Sequence, residues 1–76
     1  MLNKSRITIE GLIEEALPGL LFMVKIKNRE NGEERTILAH PAGKMKLNHI
    51  RIIPGDRVLL EMPNPNDNRG RITRRL

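Results

Sequence analysis

Basic side chains capable of binding phosphate groups dominate the second half of this sequence. The candidates for contact with a polyanion are Lys44, Lys46, His40, His49, Arg51, Arg57, Arg69, Arg71 and Arg74. An arginine guanidinium can donate two parallel hydrogen bonds to one phosphate, whereas a lysine ammonium acts as a point charge. The predominance of arginine in this set therefore indicates phosphate recognition rather than solubility alone.

The charge is distributed unevenly along the chain. Residues 1 to 43 carry six Lys or Arg and six Glu, whereas residues 44 to 76 carry eight Lys or Arg and three acidic residues. The whole formal net charge of +5 thus belongs to the second part. Such asymmetry is typical of proteins that bind nucleic acid or an anionic membrane. An amphipathic basic helix, the usual membrane-surface element, is absent from the pattern, so we expect RNA and not lipid.

Catalytic and metal-binding patterns are missing from the sequence. The chain has no cysteine, and its two histidines lack partners for a zinc site. The acidic pairs Glu14–Glu15 and Glu33–Glu34 have no nucleophile or further ligand near them in sequence, so we expect them to be solvated and to face away from RNA. We therefore predict no enzyme activity, no metal and no cofactor.

Aromatic content limits how RNA can be bound. Phe22 is the single aromatic residue, and its strand parity places it inward. Proteins that bind single strands usually stack bases on exposed aromatic rings. The sequence therefore disfavours single-strand binding of the cold-shock type and favours phosphate and shape recognition of folded RNA.

The basic residues fall on elements that can be read from the sequence. Arg69 and Arg71 share one strand face, and Gly70 between them leaves room for close backbone approach. Arg51 is flanked by Ile50 and Ile52. Three alternatives stay open: Arg69 and Arg71 could protect an edge strand, Lys44 and Lys46 could serve solubility, and Arg57 could pair with Asp56 or Glu61. Lys25 and Lys27 point outward and could join the same surface.

Period-two alternation predicts the first two strands. Ile7, Ile9 and Ile13 share one parity with Gly11, which suits a bulge or tight bend. A turn is predicted at residues 17 to 19. Leu20, Phe22, Val24 and Ile26 then form the apolar face of a second strand.

The remaining elements follow from turn residues and shorter alternations. Asn31-Gly32 predicts a hairpin leading to a third strand over residues 35 to 39. Residues 43 to 48 suit one or two helical turns, with Met45, Leu47 and Ile50 as core or lid residues. A fourth strand has Val58, Leu60 and Met62 on one face, and a fifth covers residues 69 to 74 with Ile72 inward.

These elements predict an all-β fold, a five-stranded OB-fold β-barrel with a short helix between strands 3 and 4. An SH3-like barrel is the alternative, although it does not usually place a helix there. The 76 residues suffice for one domain, with residues 1 to 5 and 75 to 76 flexible. No apolar run is long enough to span a membrane, and no secretory segment is visible, so a reducing compartment is expected.

Three segments resemble the bacterial-type translation initiation factor one family. They are EGLIEEALPGLLFMV at residues 10 to 24, GKMKLNHIRIIPGDRV at 43 to 58 and RGRI at 69 to 72. Their order and spacing are similar to the family's over roughly residues 6 to 74. The resemblance implies an OB-fold and a non-enzymatic factor that binds 16S-type rRNA at the aminoacyl-tRNA (decoding) site of the small ribosomal subunit. It also implies contact with neighbouring ribosomal proteins and joint action with initiation factors two and three.

The chain departs from the family pattern in four places. The loop over residues 28 to 35 is longer, His49 stands where Tyr is usual, and Asn66-Asp67 replaces a Tyr-Asp pair. Met23 occupies a position that is often Arg. We expect a monomer in the cytoplasm or an organelle interior. The alternative function is a generic OB-fold RNA-binding or RNA-chaperone protein associated with the ribosome.

Overall fold

The computed structural model describes residues 7–27, 31–47, 51–63 and 67–76. These residues form, in chain order, β1 (Ile7–Leu17), β2 (Leu21–Lys27), β3 (Glu34–Pro41), α1 (Gly43–Leu47), β4 (Arg57–Met62) and β5 (Arg69–Arg75). The strands close into a barrel in the order β1-β2-β3-β5-β4. The predicted all-β OB-fold, with a short helix between strands 3 and 4, is confirmed.

Barrel closure depends on one parallel strand pair. β3 and β5 run parallel, whereas the four other neighbouring pairs among the described strands are antiparallel. β4 returns to pair with β1, so both edges of the sheet are covered. Closing a sheet on itself removes the unpaired strand edges that otherwise promote aggregation. The fifth strand is thus held on both sides.

Alternating apolar residues fill the barrel interior. Among the described residues, the buried hydrophobic ones are Ile13, Phe22, Val24, Ile26, Ile37, Ala39, Met45, Ile52, Val58, Leu60, Met62 and Ile72. The predicted inward faces of the fourth and fifth strands are confirmed, and on the second strand Val24, Ile26 and Phe22, the last at 6% exposure, are buried as predicted. Burying apolar surface in this way is the main source of stability in a domain of this size.

β1 is irregular, but not where the sequence suggested. The register with β2 shifts between Ile13 and Glu15, so of the two alternatives predicted for Gly11 the bulge is wrong. Gly11 instead keeps the strand close to its neighbour: a Cβ there would lie 2.5 Å from Cγ1 of Val24. Glycine is required at this position because the interior of the barrel has no room for a methyl group.

The turn between β1 and β2 contains Leu20, which we had assigned to the apolar face of the second strand. Leu17 is in register with Leu21, so residues 18 to 20 form the turn. Gly19 and Leu20 both have positive φ, 79° and 58°. Leu20 is consequently 56% exposed, and its assignment to the strand is wrong.

Helix α1 covers the barrel next to β3 and β5. Its Met45 is 2% exposed and belongs to the core, as predicted. Leu47, however, is 80% exposed, so its assignment to the core or lid is wrong. Successive residues of an α-helix are rotated by about 100° around its axis. Leu47, two positions after Met45, therefore points away from the barrel. Ile50 lies outside the described residues.

β5 extends one residue beyond its predicted end. Arg75 lies within the strand, and the Leu76 N–H donates to the Arg57 carbonyl at 2.8 Å. The predicted flexibility of residues 75 and 76 stays a prediction. The same expectation for residues 1 to 5 lies outside the described residues.

Candidate nucleic-acid interface

Arg69 and Arg71 lie on the outer face of β5. Gly70 and Ile72, which alternate with them, are buried. A Cβ on Gly70 would approach Cδ1 of Ile37 to 3.3 Å and the Glu61 carbonyl oxygen to 3.4 Å. Gly70 therefore serves the packing of the barrel interior, and a close approach of RNA to its backbone stays a prediction.

The barrel order brings His40 to these arginines. His40 of β3 is in register with Arg71 of β5, and Arg71 is in register with Glu61 of β4. His40 is exposed at this outer surface. An open depression of about 410 Å³ lies over this row; it is lined by His40, Glu61, Met62, Pro63, Arg69, Gly70 and Arg71. Three predicted site residues, from two strands far apart in sequence, thus meet at one place.

Arg69 and Arg71 differ in their acidic neighbours. Arg71 Nη2 donates to Glu61 Oε1 at 2.8 Å, and the two side chains are 43% and 30% exposed. Arg69 is exposed and forms no ion pair within the part of the chain that the structure describes. The field around Arg69 is therefore the more favourable one for a phosphate group.

Arg57 has a different partner from those we considered. Its Nη1 lies 3.5 Å from Glu10 Oε2, so pairing with Asp56 or Glu61 is wrong. Asp56 instead accepts a hydrogen bond from the Ile53 N–H at 3.0 Å, and Glu61 is engaged by Arg71. β1 lies beside β4 in the barrel, which places Glu10 within reach of Arg57. An exposed pair of this kind contributes about 0–1 kcal/mol to stability.

Lys25 is held by two carboxylates on the outer face of β2. Its Nζ lies 3.3 Å from Glu14 Oε2 and 3.8 Å from Glu34 Oε1. The hydrogen bond and charge of Glu14, followed by the charge of Glu34, raise the pKa of Lys25 above its usual 10.5. Thr36 Oγ1 also donates to Glu14, at 3.3 Å. Glu14 and Glu34, which we had expected to be merely solvated, therefore neutralise Lys25.

A second set of cations surrounds the end of β5. Arg74 is exposed and in register with Leu59, and Arg75 Nη1 donates to the Arg51 carbonyl at 3.0 Å. Arg51 is exposed, as predicted. Lys44 is exposed on α1. Ala42, immediately before that helix, donates its N–H to the Ile72 carbonyl of β5 at 2.8 Å. Arg74 and Arg75 thus lie on β5 itself, whereas Arg51 precedes β4 and Lys44 lies on α1.

Two predicted contacts cannot be placed. His49 lies outside the described residues, and so does the Lys46 side chain, although its backbone belongs to α1. Asn66, part of the departure in the last loop, also lies outside them. Their roles in RNA binding stay predictions.

Arg35 is a functional candidate that sequence reasoning missed. Its Nη2 donates to the Asp67 carbonyl at 2.9 Å and its Nη1 to Asn68 Oδ1 at 3.3 Å. The Leu38 N–H also donates to the Asn68 carbonyl, at 3.0 Å. These bonds fix the start of β5 against β3 immediately before Arg69. Nothing in the sequence links Arg35 to a loop over 30 residues away.

Two negative observations apply to the described residues only. No group of three or more His, Cys, Asp or Glu side chains in them is arranged to hold a metal ion. No helix formed by them is long and apolar enough to cross a membrane.

Known proteins share both the sequence pattern and the fold. A family model described as translation initiation factor 1A / IF-1 matches residues 2–76. The solution structure of translation initiation factor one from the Wolbachia endosymbiont strain TRS of Brugia malayi is 42% identical, with a TM-score of 0.67; the match covers 96% of this chain and 80% of that one. The crystal structure of YjeQ from Thermotoga maritima is 28% identical, with a TM-score of 0.62 over 92% of this chain and 23% of that one.

The family match spans nearly the whole chain, and the related Wolbachia factor has a similar barrel. The three segments that carried the resemblance lie on β1 and β2, on α1 through β4, and on β5, so the motifs and the fold agree. The chain therefore belongs to the translation initiation factor 1A / IF-1 family, a family of non-enzymatic factors, and is a translation initiation factor.

Proposed function

We propose that this factor, whose family implies binding to the small ribosomal subunit, docks on 16S-type rRNA at the aminoacyl-tRNA (decoding) site. There it promotes assembly of the initiation complex. It acts by occupancy: it fills the site and positions other components, and no bond is made or broken.

The observation that carries this proposal is the division of charge over the barrel. On β1, β2 and the start of β3, Lys25 is neutralised by Glu14 and Glu34, and on β4 Arg57 is paired with Glu10. Around β5, Arg71 is paired with Glu61, but Arg69 and Arg74 form no ion pairs within the described residues. A phosphate backbone is therefore attracted to the surface around β5 and gains little from the surface of β1, β2, the start of β3 and β4.

The shape and composition of the β5 surface favour folded RNA. Phe22 is inside the barrel, so the outer face has no aromatic ring to stack single-stranded bases. Arginine, histidine and lysine on a rigid strand can instead follow the phosphates of a structured RNA. A ribosomal pocket supplies such a fixed arrangement of phosphates.

The proposal includes partners and a compartment. Neighbouring ribosomal proteins line the same site, and initiation factors two and three bind the same subunit during assembly. The factor acts as a monomer, since the barrel covers its own strand edges. It works where ribosomes are assembled into initiation complexes, in the cytoplasm or an organelle interior.

Chemical footprinting on purified small subunits tests the site. We expect protection of decoding-region nucleotides by the wild-type protein and loss of that protection in Arg69→Ala/Arg71→Ala. Affinity should fall with salt: neutralising about six phosphates gives a log–log slope near −0.7 to −0.9 for each. Scattered protection would favour a general RNA chaperone, and a slope near zero would rule out phosphate docking.

A further inference from the structure

Arg35 is a cation on the inward side of a barrel strand. It is the second residue of β3 and shares its parity with the buried Ile37 and Ala39. It is only partly buried and does not belong to the hydrophobic cluster that fills the barrel. The parallel pairing of β3 with β5 begins at Leu38 opposite Arg69, so Arg35 lies before the paired stretch. Core packing therefore does not explain why an arginine stands here.

The Arg35 guanidinium spans the gap between β3 and the two residues that precede β5. Its Nη2 donates to the Asp67 carbonyl at 2.9 Å, and its Nη1 donates to Asn68 Oδ1 at 3.3 Å. The Leu38 N–H adds a third bond, to the Asn68 carbonyl at 3.0 Å. A side chain of β3 thus holds the chain where the backbone pairing of the two strands has not yet begun.

Arg69 depends on this support more than Arg71 does. The Arg71 side chain is oriented by its 2.8 Å hydrogen bond to Glu61. Arg69 forms no ion pair within the described residues, so its direction follows from the backbone that carries it. That backbone comes immediately after Asp67 and Asn68, the two residues that Arg35 holds.

We propose that Arg35 is a positioning residue for binding to the small subunit. It does not touch RNA; it fixes the backbone from which Arg69 meets a phosphate. This inference rests on the proposed function and adds a determinant of affinity on the inner side of the barrel. Binding groups act at full strength only when supporting residues hold them within about 0.5 Å of the productive geometry. A guanidinium suits this task, because its rigid planar fork donates to two acceptors at once and a lysine ammonium does not.

A double-mutant cycle on purified small subunits tests whether Arg35 acts through Arg69. Affinity is measured well below the melting temperature of every variant, so that all of them are folded. Arg35→Ala should bind roughly three- to tenfold more weakly than wild type. Arg69→Ala should also bind more weakly, with a salt slope reduced by about 0.7–0.9. Adding Arg35→Ala to Arg69→Ala should cause no further loss of affinity and no further change of slope.

Arg35→Lys separates positioning from charge. This variant keeps the positive charge but loses the fork, so it should bind as weakly as Arg35→Ala. It also supplies the cycle if Arg35→Ala does not fold. A direct phosphate contact by Arg35 would instead be largely retained in Arg35→Lys and would be lost independently of Arg69.

Thr36→Ala is the matched control. Thr36 is the next residue of β3, and its hydroxyl donates to Glu14, away from β5. It should bind as wild type does. Nitrogen-15 relaxation of the free proteins provides a readout without RNA: the order parameters of the Asn68 and Arg69 amides should fall in Arg35→Ala and stay unchanged in Thr36→Ala.

The outcomes separate this inference from the proposed function. Additive losses in the cycle, wild-type affinity of Arg35→Lys, or unchanged order parameters at Asn68 and Arg69 would each overturn the role of Arg35. If the wild-type protein does not bind small subunits, the proposed function fails instead. If Arg69→Ala behaves as expected and Arg35→Ala binds normally, the positioning role alone fails.

Discussion

Arg71 donates a 2.8 Å hydrogen bond to Glu61 across the β5–β4 pair, in the middle of the candidate interface. Arg69, two residues earlier on the same face, has no such partner within the described residues. A carboxylate next to a guanidinium cancels part of the field that a phosphate experiences. The two arginines should therefore contribute unequally to RNA binding.

Alanine substitutions separate these contributions. We expect Arg69→Ala to weaken binding to small subunits more than Arg71→Ala, and the double variant to lose co-sedimentation. Folding should persist in each, because both side chains are outside the core. Sedimentation with purified subunits and far-ultraviolet circular dichroism measure the two properties. If the folded double variant still co-sedimented, the interface would lie on another part of the barrel and not on β5.

Glu61→Gln should strengthen binding. It removes a negative charge from the depression and releases Arg71, so affinity should rise several-fold at low salt. The gain should shrink at high salt, where screening reduces the effect of the carboxylate. Stability should change by less than about 1 kcal/mol, since the pair is partly exposed. Weaker binding of Glu61→Gln would show that Glu61 is needed to orient Arg71.

Gly11→Ala should destabilise the barrel by about 1–3 kcal/mol. Its methyl group would lie 2.5 Å from Val24 Cγ1 and 3.1 Å from Leu60 Cδ1, both in a closed interior. Gly43→Ala is the control, because nothing lies within 4 Å of a Cβ there and α1 begins at that residue. Urea denaturation compares the two. Equal stability of both variants would mean that β1 and β2 can separate at little cost.

Lys25 should make stability depend on alkaline pH. Its pKa is raised in the folded protein by Glu14 and Glu34, so the charged form stabilises the fold below the unfolded value of 10.5. That contribution is lost as the pH rises through the folded pKa. The difference in unfolding free energy between wild type and Lys25→Met should therefore shrink above pH 10.5.

Urea melts from neutral pH to about pH 12 measure this difference. Lys27→Met is the control, since Lys27 is exposed at the end of β2 and forms no ion pair in the described part of the chain. A wild-type advantage over Lys25→Met that stays constant throughout the range would contradict the prediction.

Arg35→Ala should loosen the start of β5. The substitution removes the hydrogen bonds to the Asp67 carbonyl and to Asn68, each worth about 1 kcal/mol. Hydrogen exchange of the Leu38 amide, which is bonded to the Asn68 carbonyl, should accelerate. The Gly55 amide, bonded to the Ile13 carbonyl elsewhere in the barrel, should exchange as in wild type. Unchanged exchange at Leu38 would mean that backbone pairing alone fixes the strand.

Sequence reasoning succeeded where the period of alternation decides the outcome. Phe22, Val24 and Ile26 on β2, and Val58 and Leu60 on β4, have the parity that a half-buried strand requires. It failed where a local conformation departs from that period. Leu20 adopts a positive φ that a leucine rarely has, and the register shift of β1 lies beyond Gly11.

The residues of the site could be predicted from the sequence, but the partners of their side chains could not. Parity placed Arg69 and Arg71 outward, yet it does not say which strand lies alongside. The partners of Arg71 and Arg57 follow from β4 lying between β5 and β1, a long-range arrangement. Arg35 was missed for the same reason, since its contacts depend on the parallel pairing of β3 with β5.

That parallel pairing also couples assembly of the chain to its activity. Contacts between segments distant in sequence form late and slowly, because the intervening chain must first lose its freedom. His40 and Arg71 come together only when β5 inserts between β3 and β4. A chain in which only β1 to β3 had formed would therefore have the acidic neighbours of Lys25 but lack the phosphate-binding surface. During refolding, affinity for RNA should then appear in the same kinetic phase as the native barrel. No earlier phase should show weak RNA binding.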